Sequence, residues 1–423
     1  MDPRYSDDLT EILKKAKRIY IHGAPCTPIS VLEKIDSLSG EGFCPDIYHI
    51  EISPPEDYLK AVEEKRVRDH SLFVGQNMRK AVASGGTEYM PVFLSEIPWM
   101  IRNVIKPDLT VVGLSPEDSK GYHSLGPNVL EMRSAMESAR IVVGEINRRM
   151  PRTFGNNLVR KSDLSISIEN YSDMPEYLPK KADKVDREIG ERVSELVENG
   201  ATIQAGIGNV SDCAIESLEA HQNLGIHTEL FSNGMYRLSE SGAVNNSLKS
   251  IDRGRSVATF AKGSSELYRF LNDNPSILFM DVDYTNDTSV IRRNYRMTSI
   301  NTCLSMDITG QVNAESVGPR IISGVGGQMD FVRGASLSQG GKSIFALRSR
   351  TEKGIPKIVP FLEPGSGVTT TRNHVQYVVT ENGAVNLHGL SIRERAKALI
   401  SIAHPDDRDR LEKYARESMP SYI

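Results

Sequence analysis

The stretch GIHTELFSNGM, residues 225–235, places one carboxylate where it could act on a bound molecule. Its first residues are half apolar and predict a short strand, whereas Ser232, Asn233 and Gly234 predict a tight turn. Glu229 stands between them, so the sequence predicts a glutamate at the end of a strand, aimed at a turn. An ordinary solvated glutamate is one interpretation, and a carboxylate that attacks a substrate is the other.

Two glycine-rich stretches in the second half of the chain could bind a ligand through backbone N–H groups. QAGIGNV (204–210) follows a strand candidate and opens a helix, which suits a phosphate, but Ser211 stands where a dinucleotide fingerprint needs its third glycine. A lone G-x-G is more often only a tight turn. SGVGGQMDF (323–331) could aim N–H groups at a developing oxyanion, and a mobile loop before a helix is the equal alternative.

Several familiar catalytic motifs are approached but not completed. SLSQGGKS (336–343) has Ser336 at the first glycine of a P-loop, so hydrolysis of a nucleoside triphosphate is not supported. YHSLG (122–126) has Tyr122 at the first glycine of a nucleophile elbow, which weakens a serine hydrolase interpretation. The nine histidines show no H-E-x-x-H or similar spacing, so no metal site is predicted.

The elements that must position these residues alternate between strand-like and helix-like segments. The first half predicts strands at RIYIHG, DIYHIEIS, MPVFL, DLTVVGLS and RIVVGEIN. After a polar segment (169–188) that predicts a linker, the second half predicts strands at ATIQAGIG, SVATFAKG, SILFMD, SIFAL, IPKIVPFL and VQYVVT. This rhythm predicts an α/β fold made of two similar α/β domains with mostly parallel sheets, spanning 1–180 and 181–423.

Composition limits the environment and the partners. Hydrophobic residues make up 39% and charged residues 25%, and the net charge is −4 without long charged blocks, which argues against a nucleic-acid or anionic-membrane surface. No apolar run approaches the ~20 residues that span a bilayer. The four cysteines lie far apart, which favours a reducing compartment. We therefore expect a soluble cytoplasmic protein with no nucleic-acid and no membrane partner.

Taken together, the ordered blocks resemble the acetyl-CoA hydrolase/transferase family, the branch of coenzyme A (CoA) transferases that includes 4-hydroxybutyrate and butyryl-CoA:acetate CoA-transferases. In the first half the resemblance rests on GGTEYMPVFLSEIP, VVGLSPEDSKGYHSLG and VVGEINRRMPRTFG. In the second it rests on IQAGIGNV, HTELFSNGM, DITGQVNAESVG, SGVGGQMDF and VVTENGAVNLHGLSIRERA. The blocks run over most of the chain, and no single block would carry the assignment.

The resemblance implies an active site in the cleft between two α/β domains, with Glu229 as the catalytic nucleophile. The residues that it implies for CoA binding are Gln204, Ala205, Gly206, Ile207, Gly208, Asn301, Gly324, Gly327 and Lys342. CoA and acyl-CoA are then substrates, and no permanently bound cofactor is expected. The chain departs from the family pattern at Val210 and Ser211, where a proline is frequent, and at FSNG, where an aspartate-glycine turn is common.

Two further glutamates compete for the role of nucleophile. Glu315 in NAESVG precedes the glycine loop, and Glu381 in TENG resembles the signature of another CoA-transferase branch. Their structural interpretations are a turn or cap ligand for Glu315 and a supporting hydrogen-bond partner for Glu381.

The resemblance favours a CoA-transferase that acts on an acyl-CoA and a small carboxylic acid and forms a homodimer or higher homo-oligomer. An acyl-CoA hydrolase using the same site is the first alternative. A non-catalytic CoA-binding regulator is the second.

Overall fold

The computed structural model describes residues 3–178 and 181–419, which form two compact units. The first unit comprises the chain up to Tyr177 together with Val257–Thr285 and Ile321–Gly326. The second comprises Leu178–Ser256, Asn286–Arg320 and the chain from Gly327. The predicted domain boundary between residues 180 and 181 falls next to residues outside the described ranges, so it stays a prediction.

The first unit is built on a seven-stranded sheet in which every neighbouring pair is parallel. Its strands are β1 (Arg18–Ile21), β2 (Asp46–His49), β3 (Arg68–Ser71), β4 (Thr87–Tyr89), β5 (Leu109–Leu114), β6 (Ile141–Asn147) and β7 (Ile166–Asn170). Their order across the sheet is β7-β6-β5-β1-β2-β3-β4. The interior strand β5 is buried along its whole length, as expected for a parallel strand covered on both faces.

Most helices of the first unit lie between these strands in the sequence, and its smaller strands lie outside the main sheet. The helices are α1 (Pro3–Lys15), α2 (Ile29–Ser39), α3 (Glu56–Glu63), α4 (Arg79–Ser84), α5 (Ile97–Met100) and α6 (Met132–Ser138), with two later segments Ser265–Leu271 and Val282–Thr285. The smaller strands are Tyr122–Ser124, Phe154–Gly155, Leu158–Arg160, Phe260–Ala261 and Ile277–Phe279, and Ser256–Ala258 begins at the unit boundary. The core includes Leu9, Ile19, Ile47 and Val111.

The second unit has a six-stranded sheet whose last pair is antiparallel. Its strands are β8 (Thr202–Ala205), β9 (Gly225–Ile226), β10 (Met297–Asn301), β11 (Lys342–Ala346), β12 (Tyr377–Thr380) and β13 (Gly383–Asn386). Their order is β9-β8-β10-β11-β12-β13. The chain leaves β8 first toward β9 and then returns to its other side at β10, so the direction of winding reverses between β8 and β10.

Helices also flank the second sheet, with short strands in the loops. The helices are α7 (Lys184–Ser194), α8 (Asn209–Glu216), α9 (Asn233–Glu240), α12 (Thr288–Ile291), α13 (Gln328–Leu337), α14 (Ile392–Ile402) and α15 (Pro405–Ser418); α10 and α11 denote the two later helices of the first unit. The short strands are Leu230–Phe231, Ser305–Asp307, Val312–Asn313, Ser316–Val317 and Ile358–Val359. The core includes Met306, Phe345, Val378 and Leu399. None of the helices in the described ranges is long and apolar enough to cross a membrane.

The α/β prediction with two domains and mostly parallel sheets is confirmed, and the errors are local. The predicted strand MPVFL is wrong, because residues 90–93 have no regular structure and a 3₁₀ helix, Leu94–Glu96, follows. Strand β3 (RDHS) was not predicted, because its polar sequence lacks the apolar pattern. Its Asp69 is buried and accepts hydrogen bonds from Tyr58 Oη at 3.0 Å and Thr87 Oγ1 at 2.8 Å.

A buried carboxylate in the first unit secures the start of α2. Glu145, on β6, accepts a hydrogen bond from the backbone N–H of Val31 at 3.1 Å and another from the Asn170 side chain. Pro28, the residue before α2, provides no side-chain cap, so Glu145 replaces the usual capping residue from a strand. Burial raises the pKa of Glu145 to about 7, despite the hydrogen bonds that favour its ionised form.

This raised pKa predicts a pH-dependent difference in stability between the protein and Glu145→Gln. Between about pH 4.5 and 7 the unfolded chain releases the Glu145 proton and the folded chain keeps it, so this residue stabilises the fold less as the pH rises. Glutamine does not titrate and loses one accepted hydrogen bond. We expect the variant to be less stable at pH 5, with a gap that narrows by roughly 2 kcal/mol toward pH 8. Denaturant titrations at both pH values measure it, and a gap that widens would contradict it.

Candidate active site

The carboxyl ends of β8 and β10 form the edge of the second sheet where the winding reverses, a position at which open α/β sheets bind ligands. Gln204, near the end of β8, and Asn301, the last residue of β10, lie there and are buried. Their side-chain amides exchange two hydrogen bonds, each 3.3 Å long. The predicted residues Gln204 and Asn301 are therefore brought together by the fold.

The turn after β8 carries the next predicted residues. Gly206 lies beside Asn301, since a Cβ built on it would be 3.2 Å from Asn301 Oδ1. Ile207 is exposed, and Gly208 has φ of +127°, a conformation that favours glycine, just before α8 begins. This turn leaves an exposed apolar side chain and the first N–H groups of α8 at the sheet edge, with buried Ala205 behind them. Burial raises the pKa of Asp212, in the first turn of α8, to about 6.

Glu229 lies in a bend between the short strands Gly225–Ile226 and Leu230–Phe231, and its side chain is half-buried. The prediction of a strand that runs up to Glu229 and then turns is therefore wrong in detail. Ser232 caps α9, which begins at Asn233, so the predicted tight turn is the start of a helix. Because Glu229 lies in a bend, its side chain is not bound to the alternation of sides that successive residues of a strand follow.

The backbone before Glu229 is anchored by residues that come later in the chain. Asn246 Oδ1 accepts the N–H of Ile226 at 2.9 Å, and Lys249 Nζ donates to the carbonyl of Ile226 at 3.0 Å. Lys249 is almost fully buried, and burial lowers its pKa to about 8. These bonds fix the end of β9, three residues before Glu229.

The Glu229 carboxylate is held at the start of α13. Asn286 Nδ2 donates a hydrogen bond to Glu229 Oε2 at 3.0 Å and lies 3.2 Å from Asp330 Oδ2. A Cβ built on Gly327, the residue before α13, would overlap both the Glu229 carboxylate and the Asn286 amide. Gly327 has φ of −96°, which any residue can adopt, so it is the missing side chain that makes room for Glu229.

The other two glycines of the predicted loop belong to the first unit. A Cβ built on Gly324 would lie 3.0 Å from Phe73 Cδ2 and 3.4 Å from Tyr89 Oη. The carbonyl of Gly326 accepts the N–H of Leu94 at 3.1 Å. Gly324 is thus tightly packed within its own unit.

Lys342 lies apart from the other predicted residues of the second unit. It is the first residue of β11 and pairs in register with Thr298, whereas Asn301 pairs with Phe345 at the opposite end. Its Nζ contacts Glu198 Oε1 at 3.0 Å and the carbonyl of Leu196 at 2.7 Å. The fold therefore does not bring Lys342 to the sheet edge that carries Gln204 and Asn301.

The two competing glutamates make local contacts. Glu315 Oε1 accepts a hydrogen bond from Thr369 Oγ1 at 3.2 Å, and Gly367 has no room for a Cβ because of this carboxylate. Glu381 accepts the backbone N–H of Ser349 at 3.0 Å and also its hydroxyl. Both carboxylates support neighbouring loops, which agrees with their structural interpretations.

The incomplete motifs are structural in this fold. Ser124 is buried in a strand, where its hydroxyl lies 3.1 Å from Thr153 Oγ1. The P-loop-like segment joins α13 to β11, which is the reverse of the strand-loop-helix order that a P-loop requires. Within the described ranges, no three His, Cys, Asp or Glu side chains are grouped so that they could hold a metal ion.

Comparisons with known proteins identify the family of the chain. Residues 6–185 match the N-terminal domain of the acetyl-CoA hydrolase/transferase family, and residues 263–415 match its C-terminal domain. The chain belongs to the acetyl-CoA hydrolase/transferase family.

Relatives in this family match nearly the whole chain. A succinyl-CoA:acetate/propanoyl-CoA:succinate CoA transferase of Fasciola hepatica is 41% identical, over 97% of this chain and 86% of its own length. A 4-hydroxybutyrate coenzyme A transferase of Clostridium kluyveri is 42% identical over 86% of each chain. Among solved structures, RipA from Yersinia pestis has a TM-score of 0.91 at 34% identity and covers 99% of both chains. A 4-hydroxybutyrate CoA-transferase from Porphyromonas gingivalis has a TM-score of 0.82 at 33% identity, covering 97% of this chain and 96% of its own.

Sequence reasoning missed four residues around Glu229. Asn286 and Asp330 form hydrogen bonds beside its carboxylate, and Asn246 and Lys249 anchor the segment before it. Asp330 could have been identified from the sequence, because it lies in the glycine-rich stretch SGVGGQMDF, three residues after Gly327. Asn286 in DYTNDTS and Lys249 in NSLKS carry no motif, and only their contacts identify them.

Proposed function

We propose that this protein is a CoA-transferase that moves CoA between an acyl-CoA and a small carboxylic acid, with Glu229 as the nucleophile. The observation that carries the proposal is a half-buried carboxylate that receives a hydrogen bond from Asn286 against the start of α13. The absence of a side chain at Gly327 leaves space at that carboxylate. Relatives that are 37–42% identical over most of the chain are named CoA transferases, which supports the same reaction here.

The proposed reaction keeps the free energy of the thioester. A Glu229 oxygen attacks the thioester carbonyl, the C–S bond breaks, and an acyl-glutamyl anhydride and CoA thiolate result. The thiolate attacks the glutamyl carbonyl, which releases the first acid and leaves CoA on Glu229 as a thioester. The second acid reverses these steps and departs as its own acyl-CoA.

The roles of the surrounding groups follow from the charge that develops in these steps. Each attack produces a tetrahedral oxyanion, which N–H donors stabilise when they are already in place. The Asn286 amide donates to Glu229 Oε2, so it can stabilise the charge that develops on that oxygen when the thiolate attacks the glutamyl carbonyl. Gln204, Asn301 and the turn Gly206 to Gly208 are proposed to bind CoA at the sheet edge. Gly324 belongs to the first unit, and its part in CoA binding stays a prediction.

Acyl-CoA hydrolysis by the same site is the alternative. Acetyl-CoA hydrolases of Kluyveromyces lactis and Yarrowia lipolytica are 31% and 30% identical but match only 53% and 54% of the chain. The four transferase relatives that are 37–42% identical match 82–97% of the chain, which favours transfer. A regulator without turnover has less support still, because the proposed nucleophile, its donor and the space at Gly327 are all present.

Dependence on an acceptor acid tests the proposal. Without an acceptor acid, glutamyl-CoA accumulates and blocks further turnover. We therefore expect acyl-CoA to be consumed only slowly until a carboxylic acid is added. Initial rates at several fixed concentrations of each substrate should give parallel double-reciprocal lines, since the first acid leaves before the second enters. Rapid consumption without acceptor would support the hydrolase, intersecting lines would point to direct transfer, and no turnover across a panel of acids would restore the regulator.

Location and assembly form the last part of the proposal. The described cysteines are free thiols, and three of them are buried, which supports a reducing compartment such as the cytoplasm. A homodimer or higher homo-oligomer is proposed, and sedimentation analysis measures it.

A further inference from the structure

The amide of Asn286 lies between two carboxylates. Its Nδ2 atom is 3.0 Å from Glu229 Oε2 and 3.2 Å from Asp330 Oδ2. An amide nitrogen carries two hydrogens, so it can donate one to each carboxylate. The side chain of Asn286 is fully buried, and its Oδ1 has no hydrogen-bond partner among the residues that the structure describes.

The two carboxylates together fix the orientation of this amide. A rotation of Asn286 by 180° would direct Oδ1 at two acceptor-only groups and remove both hydrogen bonds. Without Asp330, a single hydrogen bond to Glu229 would oppose that rotation. The acceptor at Asp330 therefore favours the orientation in which Asn286 donates to Glu229.

Asp330 is itself held in place by its position in the fold. It is the third residue of α13, it is 7% exposed, and a carboxylate in the first turn of a helix is stabilised by the free N–H groups there. The same turn begins at Gly327, which makes room for Glu229. One helix start thus provides both the space for Glu229 and the acceptor that orients Asn286.

We propose that Asp330 is a positioning residue, which orients the Asn286 amide so that an N–H is directed at the reacting carboxylate of Glu229. The inference rests on the proposed function, because it gives Asp330 a role only if Glu229 reacts. Asp330 acts through Asn286 and does not contact the substrate. Its contribution requires an oxygen acceptor at position 330 and does not require the negative charge.

A double-mutant cycle tests this coupling. Asp330→Ala should lower the rate of CoA-adduct formation on Glu229 and kcat/KM for acyl-CoA by about 10- to 100-fold, with the Kd for CoA unchanged. Asn286→Ala alone should lower kcat/KM at least as much. The double variant should then be no worse than Asn286→Ala, because nothing remains for Asp330 to orient. Additive losses, or a full rate in a folded Asp330→Ala, would overturn the inference.

Two further variants separate positioning from loss of stability. Asp330→Asn keeps an oxygen acceptor and should retain kcat/KM within about fivefold, so a loss as large as that of alanine would refute the inference even if the alanine variant does not fold. Asp407→Ala is the matched control, since Asp407 is also a buried first-turn aspartate of a helix, at 5% exposure, and is bonded to Arg350. It should lower the melting temperature and leave kcat/KM unchanged.

The outcomes also distinguish this inference from the proposed function. If the unaltered protein forms no adduct on Glu229, the proposed function fails, and the role of Asp330 fails with it. If the adduct forms on Glu229 but the Asp330 variants show no coupling to Asn286, only the positioning role fails.

Discussion

Replacing Glu229 by glutamine should abolish transfer, with a loss of kcat on the order of 10⁴-fold or more. An amide is a far poorer nucleophile than a carboxylate, whereas its size is nearly the same. The variant should therefore keep its fold and its affinity for CoA. Glu229→Ala should be equally inactive.

Mass spectrometry locates the reacting residue directly. Incubated with an acyl-CoA and no acceptor, the unaltered protein should gain the mass of one CoA less water on the peptide that holds HTELFSNG, and borohydride should trap this thioester by reduction. Neither Glu229 variant should gain it. Glu315→Gln and Glu381→Gln are the comparison variants, and both should still form the adduct, because those carboxylates hold local loops. An adduct that maps to Glu315 would show that Glu229 is only a supporting group.

Adding one methyl group at Gly327 should have the next largest effect. A Cβ there would overlap the carboxylate of Glu229 and the amide of Asn286, so both must move. We expect Gly327→Ala to lower kcat/KM by about 100-fold or more, because a displaced nucleophile no longer meets its donor. Steady-state kinetics and the rate of adduct formation measure the loss.

A second glycine provides the control for this substitution. Gly40 has φ of −63° at the end of α2, and the nearest atom to a Cβ there is 3.4 Å away, so Gly40→Ala should leave the kinetics unchanged. Circular dichroism should show both variants folded, since φ of −96° at Gly327 is open to alanine. Normal kinetics in a folded Gly327→Ala would mean that Glu229 does not react from the position seen here.

The fold was predictable where apolar runs are long and glycine or polar residues separate them. DLTVVGLS and RIVVGEIN became β5 and β6 with bounds within one or two residues of the prediction. RDHS escaped notice, because a buried aspartate satisfied by neighbouring side chains cannot be told from a loop residue in sequence alone. MPVFL has an apolar composition typical of a strand, but Pro91 has no N–H for strand pairing, and Phe93 is exposed.

The site residues that could be predicted are those that lie in the motifs on which the family resemblance rests. The segments around Glu229, Gln204 and Gly327 contain ordered motifs, which a sequence displays. The amide of Asn286 reaches Glu229 across 57 residues of sequence, and nothing in the local sequence indicates that pairing. Lys342 is the opposite case, a predicted CoA-binding residue that the fold does not bring to the site. It stands in a glycine-rich segment but lies at the amino end of β11, away from Gln204 and Asn301.

The hydrogen bonds around Glu229 also determine when the site can form during synthesis of the chain. Synthesis proceeds from the amino terminus, so Glu229 leaves the ribosome before Lys249, Asn286 and Asp330 do. Asn286 follows it by 57 residues, and Asp330 follows Asn286 by a further 44. A nascent chain therefore carries the carboxylate long before it carries the groups that orient it. The reactive arrangement can form only once α13 has been translated, when β11, β12, β13, α14 and α15 are still to follow.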